Sequence, residues 1–459
     1  MRKKRTLYWL NLPLVVLAGA SCSAGGNASE GEVEKVAPRP AAFAGALGYG
    51  AGSKGGHGGK VIAVTTLADA GPGSLRACID AQGPRICIFR VAGLIRFTTR
   101  PPIISNPFLT IAGQTAPGAG ITLAHAGGAV GLTPVLIKNT HDVIVRHIRV
   151  RLDRTGPDRG SQDAFTIENS RNVILDHVSG SWALDELVNP YGDNDRITIS
   201  WSIFGEGIPR HDKCALLASD PKGPQTMSFV GNLCAHNGDR NPDINFPPKS
   251  CVEVVNNVFY DAQSQFTEIW ETYGGTPVSV IGNSFIKGPS TAEHAVGIDL
   301  VQIGSTGPAR IYRADNRFKG NFMHLALAIE NESLNKPDCP LSLQPLGADS
   351  AYEAVLASAG AFPRDAFDNR MVSETTDRTG HIVKEPGSIP PIASATPYPD
   401  ADGDGMDDVW ERAHGVDPKV SDPWADADGD GVANLDNFLD DRHRMLTSQP
   451  DIPLRMMRP

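Results

Sequence analysis

Four charged residues recur at nearly constant intervals in the middle of the chain. Asp163, Asp185, Lys213 and Arg240 are separated by 22, 28 and 27 positions. If each interval is one coil of stacked β-strands, side chains in register lie about 4.8 Å apart and line one groove. Two carboxylates, an amine and a guanidinium would then line a groove roughly 15 Å long, which is the scale of a few sugar units. The plainer alternative is a solvated polar face.

Acidic side chains near the end of the chain follow the spacing of a calcium-binding loop. Asp400, Asp402, Asp404 and Glu411 occupy positions 1, 3, 5 and 12 of a loop that has Gly405 at position 6. This spacing of oxygen ligands around a glycine is typical of the EF-hand loop, so we predict Ca²⁺ as a cofactor. A disordered acidic tail is the alternative.

A second copy of this loop begins at Asp426, Asp428 and Asp430 and has Asn437 at its twelfth position. Because it lacks the bidentate Glu, we expect it to bind Ca²⁺ more weakly and also count its three aspartates as ligands. The pair resembles the calcium-binding repeats of thrombospondin type 3 or dockerin style. We assign the EF-hand-like repeats to residues 398–459.

The elements that would position the groove residues are short apolar runs with β-type alternation. The runs are Leu109–Gly113, Val143–His147, Val173–His177, Ile197–Trp201, Met227–Gly231, Val252–Asn256 and Val278–Gly282. Their regular period, without helical segments between them, indicates stacked coils. The residue after the last three runs is Asn232, Asn257 and Asn283, and Asn316 fits a further coil, which predicts an asparagine ladder. We therefore predict an all-β protein, a right-handed parallel β-helix over residues 43–359.

Composition agrees with a soluble, turn-rich fold. The 459 residues are 41% hydrophobic and 20% charged, with 48 Gly and 35 Pro. This excludes a disordered chain or a bundle of membrane spans and disfavours long helices. The net charge of −10 argues against a nucleic-acid partner. Residues 398–441, with thirteen Asp and one Glu against one Arg and one Lys, carry −12 of it.

The first 22 residues have the pattern of an export signal, with basic Arg2–Arg5 before the apolar run Leu7–Leu17. Ala18–Ala20 fits ordinary signal cleavage. Gly19–Cys22 resembles a bacterial lipobox, and lipidation of Cys22 would attach the protein to a membrane. We expect an exported bacterial protein, either secreted or an outer-surface lipoprotein, with a tether at residues 23–42 and a linker at 360–397.

Six further cysteines make an even set for disulfides in an oxidising compartment. Cys78 lies on a capping helix predicted over Leu75–Ala81, close in sequence to Cys87. Cys214 with Cys234 and Cys251 with Cys339 would complete the set, although sequence alone does not fix the pairing. We expect a monomer.

Local sequences around the groove resemble the pectate lyase family of polysaccharide lyases. The specific matches are Thr110–Gly118 and Val173–His177. Asp185, His211–Lys213 and Arg240–Pro242 also match, and the resemblance covers roughly residues 43–285. It implies a parallel β-helix that cleaves α-1,4-polygalacturonate by Ca²⁺-assisted β-elimination, so an acidic polysaccharide such as pectin is the expected partner.

The resemblance also implies residue roles. Asp163 and Asp185 match Ca²⁺ ligands, Lys213 matches an anchor for the substrate carboxylate, and Arg240 matches the catalytic base. A guanidinium is normally always protonated, so Arg240 needs a lowered pKa or alkaline pH, and Lys213 is the alternative base.

Three positions depart from the family pattern. Ser161 and Asn189 replace carboxylates, although both can still offer oxygens, so Asn189 stays a candidate ligand. Asn245 replaces a second arginine at a substrate-binding position. Glu186 or Glu206 could compensate for the lost charge. The alternatives are a lyase for methylated pectin or another uronate polymer, and an inactive β-helix that binds surface polysaccharide.

Overall fold

The structure is a computed structural model that describes residues 41–128, 132–154, 162–217, 220–329 and 333–447. These residues belong to one compact unit, Val36–Pro459. The predicted export signal, Cys22 and Ser161 lie outside the described residues, as does nearly all of the predicted tether. No helix in the described part of the chain is both long and apolar enough to span a membrane.

The chain folds into a parallel β-solenoid of about nine turns. The first sheet has 11 parallel strands, which follow one another in chain order along the solenoid. They are β1 (Lys60–Val64), β2 (Arg85–Phe89), β5 (Leu109–Ala112), β8 (His141–Arg146), β11 (Arg171–Asp176), β14 (Asp195–Ser200), β17 (Thr226–Val230), β20 (Cys251–Val255), β23 (Pro277–Ile281), β26 (Arg310–Ala314) and β29 (Ser333–Leu334). The apolar runs of the sequence lie on these strands, which confirms the predicted parallel β-helix.

A second sheet of nine strands forms another face of the coils. Its strands are β3 (Gly93–Phe97), β6 (Ile121–His125), β9 (Ile148–Arg151), β12 (Ser179–Ser181), β15 (Ile203–Gly205), β18 (Leu233–Ala235), β21 (Val258–Tyr260), β24 (Ser284–Ile286) and β27 (Arg317–Lys319).

The third face consists of two shorter sheets of five and four strands. The five are β4 (Ile103–Ile104), β7 (Val135–Lys138), β10 (Phe165–Glu168), β13 (Glu186–Tyr191) and β16 (Lys213–Ala215). The four are β19 (Asp243–Ile244), β22 (Gln265–Trp270), β25 (Val296–Val301) and β28 (Met323–Leu325). Single parallel bridges from Lys213 to Asp239 and from Leu216 to Asp243 connect the two sheets.

Residues in register stack their side chains inside the coils. In the first sheet, Val173 pairs with Ile197, Ile197 with Met227 and Met227 with Val252. Each of these four is at most 4% exposed. Burial of one such side chain contributes about 1.5–3 kcal/mol, so the repeated column is the main source of stability along the solenoid.

The predicted asparagine ladder is present. The Asn257 side-chain oxygen accepts from the Asn232 backbone N–H at 2.9 Å, and Asn283 does the same for Asn257 at 2.9 Å. Asn316 continues the series with a 3.0 Å bond from Asn283. The left-handed turn falls on the preceding residue, for example Asn256 at φ 57°, so the ladder asparagines bridge coils without adopting that conformation themselves.

Among the residues that the structure describes, the chain also forms five helices. They are α1 (Leu75–Asp80), α2 (Ala348–Ser358), α3 (Ala366–Asp377), α4 (Asp408–His414) and α5 (Asn434–Thr447), with two 3₁₀ turns at Tyr49–Gly52 and Gly113–Thr115. The helix predicted after Ser74 is present as α1, and the Ser74 side chain caps it by accepting from the Ala77 N–H. The disulfides pair Cys78 with Cys87, Cys214 with Cys234, and Cys251 with Cys339.

The segment expected to be a linker, residues 360–397, contains α3, which packs on the solenoid. Arg151 is 0% exposed and donates to Asp365 at 3.0 Å and to Asp368 at 2.9 Å. Arg149 is also fully buried and bonds the Pro363 carbonyl at 2.7 Å. Buried guanidinium groups need such partners, so Arg149 and Arg151 anchor α3 and the residues just before it to the solenoid.

The acidic C-terminal segment is folded against the first coils. Ile86 and Ile88 of β2 share one apolar cluster with Met406, Trp424 and Phe438. The Trp424 indole N–H donates to the Gly59 carbonyl at 2.9 Å. In this structure the segment therefore covers one flank of the solenoid rather than forming a disordered tail.

Candidate active site

The four regularly spaced charged residues lie at one edge of the third face. Asp163 precedes β10, Asp185 directly precedes β13, and Lys213 is the first residue of β16. These strands are neighbours in the sheet. The Lys213–Asp239 bridge places Arg240 one coil further on. The coil-length spacing thus brings all four to consecutive coils, as the sequence predicted.

Asp163 is an almost fully buried carboxylate, 6% exposed. One of its oxygens accepts from the Thr166 hydroxyl at 2.6 Å and from the Asn189 amide at 3.2 Å. The other carboxylate oxygen and the Asn189 amide oxygen have no hydrogen-bond partner among the described residues. Burial, reinforced by the charge of Asp185, raises the pKa of Asp163 to about 7.

Asp185, Glu186 and His211 form a second group next to Asp163. The His211 Nδ1 contacts an Asp185 carboxylate oxygen and lies 4.0 Å from a Glu186 oxygen. Glu186 is 2% exposed, and burial, followed by its interactions with Asp185, raises its pKa to about 9. One ligand atom from each of the three lies within 4.8 Å of the others, a geometry that could hold a metal ion.

Arg240 is surrounded by carboxylates. Its guanidinium donates to Glu186, and its Nε lies 3.4 Å from an Asp243 oxygen. Its backbone N–H donates to Glu268 at 3.3 Å. Burial lowers the pKa of Arg240, but the charges of Asp243 and Glu186 outweigh burial and raise that pKa above its ordinary value. Arg240 is therefore a cation in this arrangement.

Lys213, the alternative base, forms an ion pair with Asp239. Asn245, at the position of the family's second arginine, is half-buried, and its side-chain oxygen has no hydrogen-bond partner in the described part of the chain. Glu206 bonds Trp182 and Arg370 instead of the groove residues. Of the two compensating carboxylates suggested by the sequence, Glu186 is the one within the site.

Sequence reasoning missed Asp239 as the partner of Lys213, and Asp243 and Glu268 as partners of Arg240. A signal was available, because Asp239 and Asp243 flank Arg240 in sequence and Glu268 follows it by 28 positions, one coil length. Asp243 and Glu268 matter because their charges, together with that of Glu186, raise the pKa of Arg240.

The first C-terminal loop gathers carboxylates around a buried centre. Ligand oxygens of Asp400, Asp402 and Asp404 lie within 4.8 Å of one another. Glu411 is 0% exposed, and neither of its oxygens has a hydrogen-bond partner among the described residues. Burial and the neighbouring Asp404 raise its pKa to about 8. In the second loop Asp426, Asp428 and Asp430 also converge but are exposed.

The fold and the site together define the class of this protein as a parallel β-helix that carries carboxylates, a lysine and an arginine on consecutive coils. Comparison with known proteins gives the family. Probable pectate lyase C of Aspergillus flavus is 33% identical over 401 residues, covering 83% of this chain and 89% of that relative. The chain belongs to the pectate lyase family.

Two further comparisons agree. Probable pectate lyase P56 of Solanum lycopersicum is 28% identical over 257 residues, covering 52% of this chain and 61% of that relative. The structure of Jun a 1, the major allergen from cedar pollen, has a TM-score of 0.55 at 19% identity, covering 69% of this chain and 92% of the allergen. No protein-family model matches the chain. These fungal and plant relatives give no support to the predicted bacterial lipoprotein.

Proposed function

We propose that this lyase is exported and cleaves the α-1,4-linked polygalacturonate of pectin by β-elimination. The single observation that carries the proposal is the convergence of Asp163, Asp185, Lys213 and Arg240 on adjacent coils of a pectate lyase fold. Export is supported by the basic and apolar start of the sequence and by three disulfides, which persist in oxidising compartments.

In the proposed reaction, Lys213 leaves Asp239 to pair with a substrate carboxylate, which orients the sugar ring. Arg240 accepts the C5 proton next to that carboxylate. The C5–H electrons form the C4–C5 double bond, the C4–O bond breaks, and the departing oxygen takes a proton from water. Because Arg240 must be neutral to accept a proton, the rate should rise toward alkaline pH.

The groove residues fit a divalent cation. The unpartnered oxygens of Asp163 and Asn189 and the adjacent Asp185 and Glu186 carboxylates are suitable donors. When bound, such an ion, Ca²⁺ in the family expectation, neutralises the substrate carboxylate and acidifies the C5 proton. The residues that would hold it are Asp163, Asp185, Glu186 and Asn189.

We also propose that the first C-terminal loop binds a structural Ca²⁺. Its support is the unpartnered, fully buried Glu411 carboxylate facing three aspartates. The thrombospondin- or dockerin-like character of the repeats, and weaker binding by the second loop, are part of this proposal. The acidic C-terminal segment would then be one of two regions that bind a metal ion, and the groove would be the other.

The test is ultraviolet absorbance of unsaturated products from polygalacturonate, methylated pectin and another uronate polymer, each with added divalent cation or with chelator. We expect a cation-dependent rise that is largest on polygalacturonate. A rise on methylated pectin or the other uronate alone would change the substrate assignment. Binding without a rise in absorbance on any polymer would favour an inactive β-helix that binds polysaccharide. This is the second candidate because Arg240 is bound by carboxylates and because Asn245 stands where the family has an arginine.

A further inference from the structure

His211 has a position in the groove that the elimination chemistry does not require. It lies two residues before β16, and its side chain is 45% exposed, yet its Nδ1 contacts the Asp185 carboxylate. The same nitrogen lies 4.0 Å from Glu186. An imidazole nitrogen therefore stands among the carboxylates that would bind a cation.

Two buried oxygens beside this group also need a partner. Asp163 and Asn189 are 6% and 9% exposed, they bond one another at 3.2 Å, and each keeps one side-chain oxygen without a partner among the described residues. The Ala164 N–H donates to the Glu186 carbonyl at 3.3 Å, which places Asp163 one coil away from Glu186. Unpartnered buried oxygens are costly, and a cation would satisfy them.

The donor set is poor for Ca²⁺. Calcium takes 6–8 oxygen ligands, with affinity set by the number of charged ones. Here Ser161 and Asn189 stand where the resemblance implies carboxylates, and a nitrogen donor is added. Mixed imidazole and carboxylate ligands suit divalent ions of the first transition row, because imidazole is a softer donor than carboxylate.

The geometry points to a groove site in which His211, Asp185 and Glu186 bind a first-row transition-metal ion in preference to Ca²⁺, beside the unpartnered oxygens of Asp163 and Asn189. The chain would then hold Ca²⁺ in its first C-terminal loop and a different metal in the groove. The inference rests on the proposed function only in taking this groove as the substrate site.

A second histidine group provides the matched control. His147, His177 and His443 also converge, but both nitrogens of His147 and the Nδ1 of His177 and of His443 already have partners. The His147 Nδ1 accepts from the Phe362 N–H at 3.1 Å, and its Nε2 bonds the His443 Nδ1 at 2.9 Å. A metal ligand at His147 would have to break a bond to the Phe362 N–H or to His443, whereas the His211 Nδ1 contacts Asp185, which is itself a proposed ligand.

The test is a titration of the metal-stripped full chain with Co²⁺, followed by visible absorbance, in excess Ca²⁺ to saturate the C-terminal loops and without polysaccharide. We expect the wild type to bind Co²⁺.

His211→Gln should weaken Co²⁺ binding at least about tenfold, and His443→Gln should not. His211→Asp, which restores an all-oxygen set, should weaken Co²⁺ and strengthen Ca²⁺ binding. Circular dichroism establishes that each variant is folded.

The inference is overturned if Ca²⁺ displaces Co²⁺ from the wild type or if no Co²⁺ binds. It is also overturned if His211→Gln binds as tightly as the wild type, or if His443→Gln removes the binding. The titration contains no polymer, so it is independent of the activity assay. If the chain binds Co²⁺ through His211 but forms no unsaturated product in that assay, the metal site stands and the proposed cleavage of polygalacturonate fails. If the chain forms unsaturated products but does not bind Co²⁺, the proposed cleavage stands and the metal site fails.

Discussion

The groove and the first C-terminal loop both concentrate carboxylates, but they balance the charge differently. In the groove, Glu186 and Asp243 are paired with Arg240, and Asp239 is paired with Lys213. In the loop, Glu411 has no hydrogen-bond partner within the described residues, and the basic neighbour of Asp400 is Arg90 at 3.8 Å. In the proposed function, Lys213 and Arg240 therefore exchange partners during turnover, whereas the proposed site in the loop holds a permanent cation.

This difference gives the two regions separate roles. Removing a cation from the loop leaves repelling carboxylates at the flank where the tail packs on β2, so stability should fall. Removing charge from the groove should leave the solenoid intact, since its core column of stacked apolar residues is elsewhere, and should change the chemistry instead.

The largest expected effect is loss of turnover on removing the base. Arg240→Ala should reduce kcat about 1,000-fold, within the range for a general base, while the melting temperature stays close to that of the wild type. Absorbance of unsaturated products measures the rate. Arg310→Ala, which removes an exposed ion pair with Asp338 outside the groove, is the matched control and should keep wild-type activity. Equal losses in both variants would contradict the assigned role.

The second effect sharpens the contrast with the loop. Ca²⁺ at a hundredfold excess over its Kd should stabilise the wild type by about 2.7 kcal/mol. Glu411→Gln should lose most of this gain, because Glu411 is the buried ligand, whereas Asp430→Asn in the exposed second loop should keep it. Calorimetry with Ca²⁺ and with chelator measures both. A Ca²⁺ gain that survives in Glu411→Gln would break the comparison.

The third effect concerns how the tail is held. Burial lowers the pKa of both His147 and His443 well below the usual value. The unfolded chain therefore binds protons below about pH 6.5 that the folded chain does not, and stability falls with acid. We expect a loss of about 2 kcal/mol per such histidine between pH 7 and pH 5.

Urea unfolding across this pH range measures that slope. His443→Gln should make the slope shallower, whatever overall stability the variant loses with the bond to His147. His381→Gln, at an exposed site, should leave the slope unchanged. A variant slope equal to that of the wild type would show that these buried histidines do not govern the acid sensitivity.

The smallest effect is a shift in the pH profile. The Glu186 charge and hydrogen bond raise the pKa of Arg240. Removing them in Glu186→Gln should move the alkaline rise of kcat/KM to lower pH by about one unit. Glu168→Gln, which loses an ion pair with Lys138 on the same sheet, should not move it. A shift to higher pH would contradict the assigned influence of Glu186.

The sequence predicted what depends on local period. Apolar runs such as Val173–His177 predicted the coils. The spacing of the four charged residues from Asp163 to Arg240 predicted that they lie along one edge. The sequence prediction failed where the structure depends on a contact between residues that are far apart in the sequence. Helix α3 was expected to be linker because its Pro- and Ser-rich surroundings look flexible, yet Arg151 holds Asp368, 217 residues away. No local pattern shows such a partner.

The central claim is elimination in the groove, and the source of the oxygen at new chain ends tests it most directly. Polygalacturonate is digested in water enriched in heavy oxygen, and the products are analysed by mass spectrometry. Elimination adds no water, so the account predicts unsaturated products, each lighter by one water than a hydrolysis product, with no label at the new ends. Label in saturated products would show hydrolysis and contradict the account.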